Sequence, residues 1–391
     1  METFKRLLHP SDRSFFLFGP RGVGKSTWLT QALPDALRLD LLEASLCLEL
    51  SRAPGALEGM VKARRPETWV ILDEIQKVPS LLDEVQRLMH MHKWRFALCG
   101  SSARKLRRGA SNLLAGRAVT CQMSPFVSAE LGNKFNLKFA LEWGNLPYVI
   151  EDPEGTADIL SAYVNTYLKE EIREEGAVRR LEPFVRFLSV AGMFNGQMVN
   201  GQNIARDAGV SRSTVDNYFS ILTDTLIGSF LPAYRPQIKV REQVHPKFYW
   251  FDSGVARAAA GILRQAPDRD WLGRSLETHI LHEMRVYNET SGKHYPISFY
   301  RTSAGVEIDF IIETRRRTTV APAHITAIEL KFADKWNPKW EGGLRELKSY
   351  SALHVDRMIG VYTGLRAYHL RGLDVLPVEE FLRQLHEGII F

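Results

Sequence analysis

Gly19-Pro20-Arg21-Gly22-Val23-Gly24-Lys25-Ser26-Thr27 fits the pattern G-x-x-x-x-G-K-[ST] at each fixed position, and an apolar run, Phe15 to Phe18, leads into it. That run has the length and aromatic content of a buried strand, and Ser26 to Ala32 reads as the start of a helix. Strand, loop and helix in this order are the setting a phosphate-binding loop requires. Glycine at 19, 22 and 24 lets the backbone fold tightly and turn N–H groups onto phosphate oxygens. The helix N-terminus adds a positive dipole. In this reading Lys25 reaches the β- and γ-phosphates of ATP, and the Ser26 hydroxyl ligates Mg²⁺.

A matching second half follows about 50 residues later, where Trp69-Val-Ile-Leu delivers Asp73-Glu74 at a strand end. Asp73 is expected to hold the Mg²⁺ and Glu74 to act as general base on the attacking water. A third strand, Arg95 to Gly100, ends in Ser101-Ser102, and either hydroxyl is a candidate sensor of the γ-phosphate. Residues 103–117 carry basic side chains and no acidic one. Arg104, Lys105, Arg107 and Arg108 either meet phosphate backbones or form a solvated face. Arg117 is the candidate finger on a neighbouring subunit's ATP.

The 391 residues suffice for two to four domains, and 45% apolar with 25% charged residues is ordinary for a globular chain. A net charge of +6, with a pI near 9.1, is compatible with nucleic acid without requiring it. Cys47, Cys99 and Cys121 lack metal or redox spacing, and Cys99 in its apolar strand reads as a buried free thiol. No signal core precedes the loop and no apolar run has membrane-spanning length, so a cytoplasmic protein with no membrane partner is expected.

Beyond an alternating strand–helix segment at 1–128, which predicts a parallel sheet flanked by helices, residues 129–164 read as a small helical lid or linker. In the next segment, 165–265, Asn203 to Leu222 has helix-turn-helix spacing. Ala205 suits a helix crossing, Gly209 a tight turn and Ser211 an N-cap. Val215, Phe219 and Leu222 share a face suited to burial, and Arg212, Ser213, Asn217 and Tyr218 are expected on the opposite one. Strand-like runs at 226–231 and 248–251 flank a basic stretch with Arg235, Lys239 and Arg241, so the whole reads as a winged helix with a basic wing. Such a module would place Arg212 to Tyr218 in a DNA major groove or serve as a protein contact.

The final segment, 266–391, carries Glu277 on an amphipathic helix, Asp309 on a strand, and Glu329-Leu-Lys331 on the next. Asp309 and Glu329 on adjacent strands are hard oxygen ligands for Mg²⁺ or Mn²⁺, with Glu277 as a further one. Lys331 faces the same side as Glu329 and would orient water or stabilise charge. His279 and His282 are read as ordinary surface or packing residues.

These blocks, in this order, resemble the prokaryotic AAA+ family ATPases that join an AAA_14-type ATPase domain to a DUF4143 domain. The carrying motifs are GPRGVGKST (19–27), ILDEIQKVP (71–79), GSSARKL (100–106), LAGRA (114–118), YLKEEI (167–172), FDSGVARAAAG (251–261), LGRSLE (272–277), VEIDF (306–310) and IELK (328–331). The resemblance implies an α/β architecture: a P-loop NTPase domain with helical lid, a winged-helix domain, and a C-terminal PD-(D/E)XK, restriction-endonuclease-like domain. It implies ATP and Mg²⁺ as cofactors and a homo-oligomer, such as a ring, with an arginine finger. The function expected is an Mg²⁺-dependent ATPase acting on DNA by binding, translocation or remodelling. Two alternatives stand beside it: an ATP-gated metal-dependent DNA nuclease, and a nucleotide-dependent signalling or defence switch that binds a protein partner.

Overall fold

The computed structural model describes residues 4–65, 68–92, 94–101, 114–168, 181–235, 245–302, 305–319 and 321–391. The expected phosphate contacts Arg104, Lys105, Arg107 and Arg108, the alternative sensor Ser102, most of YLKEEI, and the wing residues Lys239 and Arg241 lie outside them.

Strands β1 (Phe15–Phe18), β2 (Leu37–Asp40), β3 (Trp69–Asp73), β4 (Arg95–Gly100) and β5 (Val119–Gln122) form a wholly parallel sheet in the order β2-β3-β4-β1-β5. All four residues of β1 are buried, as a central parallel strand covered on both faces demands. Trp28 and Leu29, from the helix Lys25–Ala32, pack under one face with Phe15 and Ile71. Leu81, Val85 and Leu88, from the helix Leu81–His92, cover the other with Phe16 and Leu72.

The first of these cores does not stop at the sheet. It runs on through Leu146, Leu160 and Tyr163 into Phe187, Phe219 and Trp250, so the residues after the sheet share its hydrophobic interior. In the middle of the chain the helices Gly201–Ala208 and Arg212–Asp224 meet across Gly209, whose φ of 65° ends the first helix in the left-handed region. Ser211 caps the second helix by accepting the N–H of Thr214. Strands β6 (Gln197–Met198), β7 (Gly228–Leu231) and β8 (Lys247–Trp250) form a small antiparallel sheet in the order β6-β8-β7.

One expectation is corrected here. Tyr218 does not join the exposed face of its helix: it is buried, edge-on to Phe184 at 5.0 Å and against Phe187 at 5.2 Å. Its ring is apolar enough, and near enough to the Val215 stripe, to be drawn inward. At the start of the stretch read as a basic wing, Tyr234 donates its N–H to Phe299 O at 2.6 Å and Ala233 pairs with Phe299; residues 236–244 of that stretch lie outside the described residues.

The FDSGVARAAAG stretch is explained by packing. Asp252 caps the helix Ser253–Ala259 through Val255 N and accepts Asn145 N–H at 2.8 Å, while Ser253 donates to Ala140 O at 2.7 Å. A Cβ on Gly254 would stand 2.0 Å from the carbonyl oxygen of Trp143, so only glycine lets the two backbones approach. Arg257 lies over the Trp143 ring at 4.6 Å.

The C-terminal region sets the long helix Arg269–Thr290 against a mixed sheet of β9 (Ile297–Arg301), β10 (Glu307–Arg315), β11 (Ala323–Lys331), β12 (Leu353–Tyr362), β13 (Tyr368–Leu370) and β14 (Leu373–Pro377). The order is β13-β14-β12-β11-β10-β9, and the helix Val378–His386 joins the long helix on one face. No helix among the described residues is long and apolar enough to cross a membrane.

Candidate functional site

The phosphate loop leaves β1 at the carboxyl edge of the parallel sheet, where open α/β sheets bind ligands. Its glycines have distinct jobs. A Cβ on Gly19 would meet the carbonyl oxygen of Met123 at 2.2 Å, and Gly24 starts the helix with a φ of 90°. Lys25 is buried, and its ammonium donates to the carbonyls of Gly19 at 2.7 Å and Pro20 at 2.9 Å. Ser26 donates its hydroxyl to Asp73 Oδ2 at 2.8 Å, so the two residues expected at one cation are in direct contact. Arg38 also donates to that oxygen, at 2.7 Å. Among the described residues the other oxygen, Oδ1, is buried without a hydrogen-bond partner, which leaves a hard oxygen donor open to a cation such as Mg²⁺.

Glu74 has a φ of 58°, a left-handed conformation that a side chain with a Cβ seldom takes. That turn sends the chain from β3 into the short helix Ile75–Lys77 and leaves Glu74 at the strand end. Sequence reading missed the residue beside it. Gln76 donates through Nε2 to Glu74 Oε2 and lies 3.2 Å from Ser101 Oγ, so it joins the expected base to the expected sensor. A Cβ at Gly100 would sit 2.4 Å from Gln76 Oε1, so glycine at the end of β4 makes room for that side chain. Position 76 lies inside ILDEIQKVP, two residues after the carboxylate pair, but carries no pattern of its own. Cys99 is a buried free thiol, and burial pushes its pKa well up. Arg117 is exposed, beside Asp83, Gln86 and His90, and forms no ion pair among the described residues.

Around this loop the later segments close in. Gly22 faces the ring of Tyr148, and Tyr163 donates its hydroxyl to the carbonyl of Arg21 at 3.0 Å. Arg6 donates to the carbonyl of Val23 at 2.5 Å and pairs with Glu130 at 2.6 Å.

The second constellation lies between the long helix and the C-terminal sheet. The β10–β11 register pairs Phe310 with Ile328, which sets Asp309 opposite Glu329 on one face. Asp309 Oδ2 accepts Leu330 N–H at 2.7 Å, and Lys331 donates to Glu329. Glu277 reaches the same place from the helix and accepts the Tyr249 hydroxyl at 2.7 Å. Burial, and then the charge of Asp309, pushes Glu277 up to about 7 and Glu329 up to about 8. Burial works against the charge on Lys331, but Asp309 and Glu329 outweigh it and hold its pKa up.

Lys247 was not anticipated. This buried β8 residue contacts Glu277 at 3.3 Å and Glu307 at 2.6 Å. Burial pulls its pKa down, yet Glu277, Asp309 and Glu307 together raise it above the usual lysine value. The two lysines balance much of the acid cluster. Among the described residues, one trio of metal-type ligands gathers its donor atoms within 4.8 Å, and it is the surface group His324, His354 and Asp356. Glu277, Asp309 and Glu329 stand further apart than that.

His279 and His282 serve packing. His279 stacks on Phe135 at 5.5 Å, and His282 Nε2 lies 3.3 Å from Phe126 O. Burial lowers both pKa values, that of His279 to about 4.

Three family models match consecutive stretches of the chain. Residues 11–132 match an AAA domain (AAA_14), residues 134–266 a domain of unknown function (DUF8612), and residues 272–381 a domain of unknown function (DUF4143). The helix-turn-helix therefore falls in the middle match and the acid cluster's Glu277, Asp309 and Glu329 in the last. The uncharacterized protein Rv2008c of Mycobacterium tuberculosis is 26% identical over 321 residues, which are 80% of this chain and 70% of that protein. Mb2031c of Mycobacterium bovis matches to the same extent. The Walker-type ATPase PABY2304 of Pyrococcus abyssi overlays with a TM-score of 0.42 at 15% identity, over 64% of this chain and 90% of that one.

Proposed function

We propose, for a chain that carries an AAA-type ATPase domain joined to a DUF4143 domain, an Mg²⁺-dependent ATP hydrolase whose cycle acts on DNA. The observation that carries the hydrolytic part is the linked edge of the sheet: Ser26 bonded to Asp73, and Gln76 bonded to Glu74 beside Ser101. Lys25 and the loop N–H groups bind phosphates; Ser26 and Asp73 would hold Mg²⁺, which supplies charge neutralisation when bound. Glu74 takes the proton of the attacking water, and Gln76 fixes its carboxylate in place. Ser101 reads the γ-phosphate end.

Arg117, exposed and unpaired among the described residues, is the group that would reach a neighbouring subunit's nucleotide, so the active form is a homo-oligomer. The DNA-facing surface is the exposed side of the helix Arg212–Asp224, with Arg212, Ser213 and Asn217. The test is ATP turnover without DNA, with linear duplex and with branched DNA, using Lys25→Ala as blank. Stimulation by one DNA form supports the reading. Turnover indifferent to every DNA, with a nucleotide-dependent change in oligomer size, would move the assignment to a switch that binds a protein partner.

A second reading, metal-dependent DNA cleavage, is favoured by the register that sets Asp309 against Glu329 beside Glu277 and Lys331. Carboxyls whose pKa values are raised to near neutrality would release their protons to water as a divalent ion takes up the carboxylates. Cleavage assayed in Mg²⁺ and in Mn²⁺ tests it. Equal activity in Asp309→Ala would mean the cutting belongs to another protein.

A further inference from the structure

A cavity of about 490 Å³ lies where the parts of the chain meet. Pro20 and Met123 of the ATPase domain form part of its wall, with Phe230, Trp250 and Phe251 from the middle segment and Arg285 from the long helix. Its size is within the range of small-molecule sites. Arg285 sets its chemistry. This side chain donates to Ser229 Oγ and forms no ion pair among the described residues.

The carboxylates nearby are otherwise engaged. Glu130 and Glu289 share the cavity wall, but Glu130 is paired with Arg6 at 2.6 Å and Glu289 with His294 at 3.2 Å, while Glu283 accepts from Ser128 and His386. Burial pulls Arg285 down to about 10. Arg285 is half-buried in the cavity wall, and a cation partly withdrawn from water is costly to leave without a counter-charge. Among the described residues no carboxylate pairs with it, and the cavity stands beside it. The Trp250 indole spends its N–H on Ala191 O at 3.0 Å, so it offers the cavity only apolar surface.

We propose that this cavity is a second ligand site, separate from the phosphate loop, for a small organic anion whose phosphate or carboxylate pairs with Arg285 and whose planar or apolar body lies against Phe230, Trp250 and Phe251. The guanidinium fork fits either anion through two parallel N–H···O bonds. Because Pro20 of the phosphate loop lines the same space, an occupant would touch the ATPase from behind its nucleotide site.

The test uses the full chain carrying Lys25→Ala, so that the phosphate loop does not answer. Phenyl phosphate and benzoate are titrated by calorimetry. At least one is expected to bind, and the one that binds tells phosphate from carboxylate recognition. Arg285→Met is expected to weaken it at least about tenfold, the loss of a charged hydrogen-bond pair. The ligand-free melting temperature should hold or rise, because a half-buried charge without a counter-ion has left the cavity wall. A merely structural arginine would instead lower it. If Arg285→Met does not fold, Arg285→Lys keeps the charge without the fork and is expected to weaken binding in the same direction. Binding of neither anion, or binding that neither variant weakens, overturns the proposal. ATP turnover plays no part in the measurement, so the proposed DNA-coupled activity stands or falls separately.

Discussion

Glu283 accepts the backbone N–H of Ser128 at 2.7 Å and the Ser128 hydroxyl at 3.0 Å. A fully buried carboxylate of the C-terminal region thereby anchors the short helix Ser128–Leu131, at the exit of the ATPase sheet. His386 closes the arrangement at 2.8 Å. From the same short helix, Glu130 pairs with Arg6, and Arg6 holds the Val23 carbonyl of the phosphate loop. A continuous polar path therefore joins the loop to the helix that bears Glu277.

Glu283→Ala strips a buried network of its acceptor and leaves the Ser128 and His386 donors unpaired. The expected loss is about 3–5 kcal/mol of stability, typical of breaking a buried charged pair from one side. Urea unfolding reads it; a loss under about 1 kcal/mol would mean the contact is peripheral.

Glu74→Gln is expected to lower ATP turnover by about 10²–10⁴-fold, the usual worth of a general base, while nucleotide binding persists. Fluorescent-nucleotide binding beside a phosphate-release assay separates the two effects. Undiminished turnover would remove Glu74 from the mechanism.

Gln76→Ala removes the group that joins Glu74 and Ser101 without touching either. About tenfold slower turnover at an unchanged KM is expected, the worth of one hydrogen bond of about 1.4 kcal/mol. A rise in KM alone would assign Gln76 to nucleotide binding. Because Gln76 is assigned the positioning of Glu74 and Ser101, partial rescue by Gln76→Glu at acid pH would distinguish positioning from folding.

The pH response of the buried histidine has a definite sign. Burial depresses His279 from 6.5 to about 4 in the folded chain, so its neutral form stabilises the fold above pH 6.5. That contribution is lost progressively as pH falls from about 6.5 to about 4. Its full size is about 3 kcal/mol from the shift. His279→Gln should therefore lose less stability than wild type between about pH 7 and about pH 4.5, measured as the difference in urea midpoints. Equal losses would place the acid sensitivity elsewhere.

How much was legible in the sequence varies with how local the determinant is. The phosphate loop, Asp73-Glu74 and the helix-turn-helix are read from contiguous residues, because turn glycines, caps and strand ends act over a few positions. Asp309 and Glu329 were legible as a pair because adjacent strands translate spacing into register. Gln76 was within reach but carried no pattern of its own. Lys247 was out of reach: its charge is balanced by Glu277 and Glu307, 30 and 60 residues on, and only the packing of β8 against the long helix brings them together. Tyr218 failed for the opposite reason, since an amphipathic ring can face either way and the aromatic cluster of Phe184 and Phe187 decided it.

The position of Lys247 bears on how the C-terminal region can be studied. Its ammonium stands among carboxylates of one region, but its backbone belongs to the small sheet of another. A fragment beginning after residue 265 would carry every acid of that cluster and lose this cation. Its titration curve, its appetite for divalent ions and its solubility would then describe a different electrolyte from the one the intact chain contains.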